Sequence, residues 1–269
     1  MFMDDRLKLF KENKVVNWHE HVWYDANGEL NVPMMERLMN HAELLGIDTT
    51  VISLPLTGGY NKPEDVERAN DTAYEAMKRY PKTMRGLAYI DPICGRYAVK
   101  EIERCVNDMG FIGIKMYHQF LMDDPAQYPI IEKCIELDIP ILMHAGSRYT
   151  LTAAQPRISD SVHMIRAAKR YPEATFIMAH ITGGGDWYWQ LKGMEQCPNI
   201  YTDVSGSVHD TDAVERTVKV FGAERVLFGT DGSYASGVGK MLSCELSDED
   251  FKTVLRGPKF EKYLERGAR

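Results

Sequence analysis

Short apolar segments alternate with longer amphipathic segments along almost the whole of this 269-residue chain. The apolar segments are short and continuous, which is typical of strands in a parallel sheet that helices cover on both faces. Eight such units in a chain of this length predict an α/β protein, a single (β/α)₈ TIM-barrel domain over residues 1–269. The predicted strands cover residues 15–18, 49–54, 86–90, 113–117, 139–144, 175–180, 200–204 and 226–229.

The composition limits the partners that such a barrel can bind. The formal net charge is −7, which argues against a nucleic-acid partner, because phosphate contacts need clustered Lys and Arg. No segment approaches the roughly 20 apolar residues of a membrane span, and the charged N-terminal segment lacks the apolar run of a signal peptide. The five cysteines are widely spaced without a Cys-x-x-Cys pair, as in reduced proteins. We therefore expect a cytoplasmic protein with a small-molecule substrate and no membrane partner; a homodimer remains open.

The candidate metal ligands begin with the pair His19 and His21, which follows the first predicted strand. Residues two apart in a strand point to the same side, so both imidazoles can reach one cation, and neutral imidazole suits zinc and neighbouring metals. Each histidine alone is more often a hydrogen-bonded core residue. Their joint placement with other reactive residues at the C-terminal mouth of a barrel instead predicts a catalytic metal site. The other reactive residues at strand ends are Lys115, His144, His180 and Asp231.

The motifs at three of these strand ends resemble the metal-dependent amidohydrolase superfamily. The likeness is strongest to its amidohydrolase-related branch, which contains hydrolases and non-oxidative decarboxylases, and segments 19–21, 139–146 and 225–231 carry it. The resemblance implies that Asp231 and His180 are catalytic acid/base residues. It also implies one divalent metal, either zinc or manganese. The ligands that it implies for this metal are His19, His21, His144 and Asp231.

Two positions leave room for variation on the family's pattern. The family commonly has Asp two residues before the first metal histidine, and Asn17 takes that place here, so the support of this ligand is expected to differ. Dinuclear members carry a carboxylated lysine on the fourth strand that bridges two metals, and Lys115 stands at that place. Its context in segment 113–118 resembles the mononuclear branch more closely, where this lysine faces the substrate. We expect one metal, with a dinuclear site as the alternative.

The reaction expected from the resemblance is hydrolysis of a small-molecule amide, ester or lactone through a metal-activated water. The alternative is a non-oxidative decarboxylase (carboxy-lyase) of a small carboxylate, aromatic among the options, because both reactions use the same ligands. A nuclease is disfavoured because nucleases of the superfamily typically have Glu at the place of Lys115. A barrel without catalytic activity is disfavoured by the intact ligand set. The substrate contacts expected from their places near the mouth are Lys115, Tyr117, His118 and Arg148.

Overall fold

A computed structural model of the chain describes residues 2–146, 157–180, 186–206 and 209–266. Within these ranges eight parallel strands pair in chain order and alternate with helices, so the predicted (β/α)₈ barrel is confirmed. The strands are β1 (Val16–His21), β2 (Thr49–Ser53), β3 (Met84–Tyr89), β4 (Gly113–Met116), β5 (Ile141–Met143), β6 (Phe176–Met178), β7 (Ile200–Asp203) and β8 (Val226–Leu227). The helices are α1 (Phe2–Lys11), α2 (Val32–Leu45), α3 (Pro63–Arg79), α4 (Arg96–Met109), α5 (Tyr128–Glu136), α6 (Ser161–Arg170), α7 (Trp187–Gln190), α8 (Ala213–Phe221), α9 (Tyr234–Ser243), α10 (Asp248–Arg256) and α11 (Glu261–Arg266).

Backbone hydrogen bonds join β8 and the residues after it to β1. The amide of Trp18 donates to the carbonyl of Phe228 over 2.9 Å, and the amides of Thr230 and Asp231 donate to the carbonyl of His19 over 3.2 and 2.8 Å. The first and last strands of the barrel therefore meet at the residues predicted to bind the metal.

The barrel interior is filled by one side chain or two from most of the strands. Val16 and Trp18 of β1 belong to this inner cluster, together with Leu87 of β3 and Leu142 of β5. Phe260, just before α11, packs edge-on against Trp18 with ring centroids 5.2 Å apart. The interior is therefore a packed core, and the polar residues that concern function lie at its rim.

Gly113 shows how tightly the fourth strand packs. A Cβ atom at this position would lie 2.7 Å from the carbonyl oxygen of Pro140 and 2.9 Å from Leu87 Cδ2. Because backbone cannot move aside as a flexible side chain can, we expect Gly113→Ala to lower the free energy of unfolding by about 1–3 kcal/mol. Urea denaturation would measure this loss. The control is Gly58→Ala, whose Cβ would meet nothing within 4 Å; equal stabilities of the two variants would contradict the prediction.

The structure moves several predicted boundaries. β1 extends through His21, so the histidine pair lies within the strand rather than after it. After β6, the short helix α7 is followed by a separate 3₁₀ turn at Met194–Gln196. Ser247 caps the N-terminus of α10, where its hydroxyl accepts a hydrogen bond from the Asp250 amide over 3.1 Å.

Two observations bear on the expectations about cysteines and membranes. All five cysteines lie within the described residues and are unpaired, and four of them are buried, as expected for structural thiols. Among the described residues no helix combines the length and the apolar character that a bilayer span requires.

Candidate active site

His19 and His21 lie on β1 with their rings in edge-to-face contact, 5.1 Å between centroids. The pairing of β1 with β2 shifts register between Asn17 and Glu20, an irregularity that changes where the following side chains point. His21 Nδ1 lies 3.0 Å from the Ser53 hydroxyl, which holds this ring in place. Burial lowers the pKa of His21 to about 4, although its contact with Asp231 opposes the shift. The imidazole is therefore neutral at pH 7, as metal coordination requires.

Asp231 follows β8 and faces both histidines of β1. One carboxylate oxygen lies 2.9 Å from His21 Nε2 and 3.4 Å from His19 Nε2. Burial raises the pKa of Asp231, but the fields of His180 and His19 and the hydrogen bond with His21 outweigh it, so the pKa lies well below its usual range. Asp231 has a left-handed backbone with φ of +47°. The site therefore holds an ionised carboxylate against the neutral imidazole of His21.

Glu20 fixes the turn that presents Asp231. Its buried side chain accepts hydrogen bonds from the amide of Gly232 over 2.8 Å and from the amide of His21 over 2.9 Å. Its other oxygen accepts from the Thr230 hydroxyl, which also bonds the Asn17 side chain over 2.6 Å. Asn17 therefore helps to hold β1 against the residues that follow β8.

His180 stands opposite Asp231 across the mouth, at the end of β6, also with a left-handed backbone (φ of +60°). Its Nδ1 lies 2.8 Å from the Ser205 hydroxyl and 3.5 Å from an oxygen of Asp231, and its Nε2 lies 3.0 Å from His144 Nδ1. Burial lowers the pKa of His180 to about 3. His180 is therefore neutral at pH 7 and within reach of the carboxylate that it could exchange a proton with.

The buried carboxylate of Asp203, at the end of β7, fixes which nitrogens carry protons. It lies 2.9 Å from His19 Nδ1 and is bonded to the Ser205 hydroxyl. Burial raises its pKa, but the field and hydrogen bond of His19 lower it overall, so it is ionised and accepts from both groups. The Ser205 oxygen then accepts from His180 Nδ1–H. His19 and His180 therefore each carry a proton on Nδ1. Their Nε2 atoms face other groups of the site, His19 Nε2 lying 2.8 Å from Lys115 Nζ and His180 Nε2 lying 3.0 Å from His144 Nδ1.

These residues fit a divalent metal. Within the described part of the chain, the ligand atoms of His19, His180 and Asp231 lie within 4.8 Å of one another. Neutral imidazoles beside an ionised carboxylate are the donor set of zinc and its neighbours in the first transition row. The predicted ligands His21 and His144 adjoin this group, the first through Asp231 and the second through His180.

The structure describes the surroundings of three of the four predicted substrate contacts. Lys115 is fully buried, with Nζ 2.8 Å from His19 Nε2, and burial lowers its pKa to about 8. Tyr117 stacks on His144 with ring centroids 4.2 Å apart. His118 bonds through Nε2 to the carbonyl of Thr57 over 3.2 Å. Arg148 lies outside the described residues.

A cavity of about 210 Å³ opens at this mouth. His144, His180 and Asp231 line it, together with Thr230 and Gly206. Its volume is below the range typical of pockets for drug-sized ligands, so it suits a small molecule.

Several functional supports were absent from the sequence prediction. Glu20 lies between two candidate ligands, and charge alone gave no sign that it is buried. Lys240 was treated as part of no site, because its helix α9 contains two glycines and was not predicted. Asp203 and Ser205 could be placed at the mouth, because they lie at the end of the seventh predicted strand, but the sequence left open whether they orient His180 or the substrate. The structure places Asp203 2.9 Å from His19 Nδ1 and the Ser205 hydroxyl 2.8 Å from His180 Nδ1.

Residues 17–255 match the sequence model of a family described as "Amidohydrolase". The chain belongs to the amidohydrolase family. This amidohydrolase is similar to 2-amino-3-carboxymuconate-6-semialdehyde decarboxylase from Dictyostelium discoideum, 24% identical over 74% of this chain and 66% of that protein. It is also similar to gamma-resorcylate decarboxylase from a Polaromonas species, 26% identical over 78% of this chain and 79% of that protein. The fold is also similar to a crystal structure of dihydroxybenzoic acid decarboxylase from Polaromonas, which contains manganese and the inhibitor 2-nitroresorcinol. The two structures align over 94% of this chain and 97% of that chain, with a TM-score of 0.72 and 20% sequence identity.

These relatives correct the predicted reaction. The prediction of a hydrolase is contradicted, because the three similar proteins reported above are named as decarboxylases. The physical reason for the error is that hydrolysis and decarboxylation in this family draw on the same histidines and aspartate. Strand-end residues could identify the family but could not separate its reactions.

Proposed function

We propose that this amidohydrolase is a metal-dependent, non-oxidative decarboxylase of a small hydroxylated aromatic carboxylate. The observation that carries the proposal is the pair His180 and Asp231, 3.5 Å apart on the wall of a cavity of about 210 Å³. These two residues can exchange a proton, and they lie beside the candidate metal-ligand atoms. The names of the relatives support decarboxylation, and the manganese and 2-nitroresorcinol bound to the Polaromonas enzyme support a metal and a single-ring substrate.

The reaction breaks the bond between a ring carbon and the carboxylate. The bonding electrons stay on the ring carbon, CO₂ leaves, and a proton takes the place of the carboxylate. A bound divalent metal supplies Lewis acidity that holds substrate oxygens. In our proposal Asp231, ionised at neutral pH, accepts a proton from the substrate hydroxyl, and the couple of Asp231 and His180 delivers a proton to the ring carbon.

The remaining assignments belong to the same proposal. We assign one metal, zinc or manganese, to this mouth. Lys115, Tyr117, His118 and Arg148 are assigned to the substrate side. The stacking of Tyr117 on His144 gives an aromatic ring a surface on which to lie. The ligands assigned to the metal are His19, His21, His144 and Asp231.

The test is turnover of a panel of mono- and dihydroxybenzoates in D₂O. We expect one CO₂ for each product molecule and one deuterium on the carbon that lost the carboxylate, since the added proton comes from solvent. Removal of metal with EDTA should abolish the reaction, and readdition of zinc or manganese should restore it. Esters, amides and lactones of similar size serve as controls. Their cleavage without CO₂ release, or decarboxylation that survives loss of metal, would overturn the proposal.

A further inference from the structure

Lys240 of α9 is a buried ammonium outside the group of candidate ligands. Its side chain is 8% exposed, and Nζ donates to the carbonyl oxygens of Val204, Ser205 and Gly206 over 3.1, 3.3 and 2.8 Å. An ammonium has three protons, so these carbonyls provide one acceptor for each. Burial lowers the pKa of Lys240 to about 8, which leaves the group mostly charged at neutral pH.

The three carbonyls belong to the turn that follows β7 and enters the active site. The Ser205 amide in this turn donates to Asp203 over 2.9 Å, and the Ser205 hydroxyl lies between Asp203 and His180 Nδ1. The position of this hydroxyl therefore depends on the backbone that Lys240 holds. The hydroxyl in turn determines that His180 carries its proton on Nδ1.

We propose that Lys240 is a positioning residue: its ammonium holds the turn 204–206 so that Ser205 keeps His180 in the Nδ1–H tautomer, with Nε2 turned to His144. This inference rests on the proposed function only in giving His180 a role in proton transfer. The tautomer itself follows from contacts present without substrate.

Direct binding of an anionic substrate is the competing role for Lys240. The residue also lines a cavity of about 730 Å³ that shares His209, Ser233 and Ser236 with the site cavity. The three carbonyl contacts argue for positioning, because each uses an ammonium proton that a substrate carboxylate would need. The two roles predict different kinetics: a substrate contact changes KM, whereas a mispositioned proton carrier changes kcat.

The experiment compares Lys240→Met with wild type by long-range ¹H–¹⁵N NMR of histidine-labelled protein, with any paramagnetic metal exchanged for zinc. The spectrum distinguishes the two tautomers of each imidazole, and the spectrum of His180→Gln identifies the His180 signals. The matched control is Met241→Leu, which changes the neighbouring buried residue of α9 without changing charge. If Lys240→Met does not fold, Lys240→Gln takes its place, and the same results are read from it.

We expect the lysine variant to lose the single Nδ1–H pattern of His180, with kcat reduced about 10-fold and KM little changed, and Met241→Leu to resemble wild type. An unchanged His180 spectrum in the lysine variant would overturn the proposal, as would an equal change in both variants or an effect confined to KM. Because the NMR measurement needs no substrate, it tests Lys240 even if the panel of hydroxybenzoates is not decarboxylated.

Discussion

Asp231→Asn is expected to reduce decarboxylation about 10³-fold, the range found when an acid/base group is lost. The carboxylate faces His19, His21 and His180 in the folded protein. Asparagine retains its shape but has neither the negative charge that attracts a cation nor a basic oxygen that accepts a proton. Initial rates on the best hydroxybenzoate and elemental analysis of the purified protein would measure the loss of turnover and of metal together.

The fold should survive this change, because asparagine adopts the left-handed conformation of Asp231 readily. The matched control is Asp212→Asn, which makes the same substitution at another left-handed position (φ of +61°), where the carboxylate pairs with Arg216 on the surface. We expect the control to retain its rate and metal. A variant at Asp231 with full metal content and more than a tenth of the wild-type rate would contradict the assigned role.

Asp203→Asn is expected to weaken metal binding about 10- to 100-fold, the usual effect of removing the partner that orients a ligand. Four donors face the carboxylate: His19 Nδ1–H, the Ser205 hydroxyl and the backbone amides of His180 and Ser205. An amide offers one oxygen and one NH₂ group, so one of these donors would meet another donor. If His19 responds by moving its proton to Nε2, it loses the lone pair that the proposed function assigns to the metal.

Isothermal titration calorimetry of the metal-free protein with zinc would measure the affinity. Asp91→Asn is the matched control, since Asp91 is also a buried carboxylate beyond the end of a strand but accepts from Asn61 and from the amide of Ile93. Equal zinc affinities in the two variants would contradict the prediction, because they would show that the contact between Asp203 and His19 does not strengthen zinc binding.

The fold and the main residues of the site could be predicted because they depend on simple periodic features. Eight alternating apolar strands and amphipathic helices in a chain of this length predict a barrel, and a barrel brings strand-end residues such as His19, His180 and Asp231 to one mouth. The closeness of the three is confirmed by the structure. The helices α1 and α9 were not predicted. The sequence of α1 is so highly charged that its buried residue Phe10 gives no clear apolar pattern, and α9 contains glycine, which disfavours helix.

The supports of the site were harder to predict because each depends on contacts between distant segments. Glu20 acts on residues more than two hundred positions away, at the joint of β1 and β8. Lys240 reaches the turn after β7 from another helix. Sequence spacing contains no information about such pairs. The reaction was mistaken for a different reason, since the residues that hold the metal do not specify which bond of the substrate breaks.

The left-handed backbone of His180 and Asp231 restricts which amino acids can occupy these two positions. Among residues other than glycine, Asn, Asp and His enter this conformation most readily. The proposed function needs a metal ligand or a proton carrier at the same two positions, and among these three residue types only Asp and His can serve as either. Replacement by Glu or Gln would therefore disturb both the position of the reactive side-chain atoms and the left-handed backbone that presents them. In a mutational library of this barrel, these two positions should tolerate the shortest set of substitutions, chosen by backbone shape as much as by reactivity.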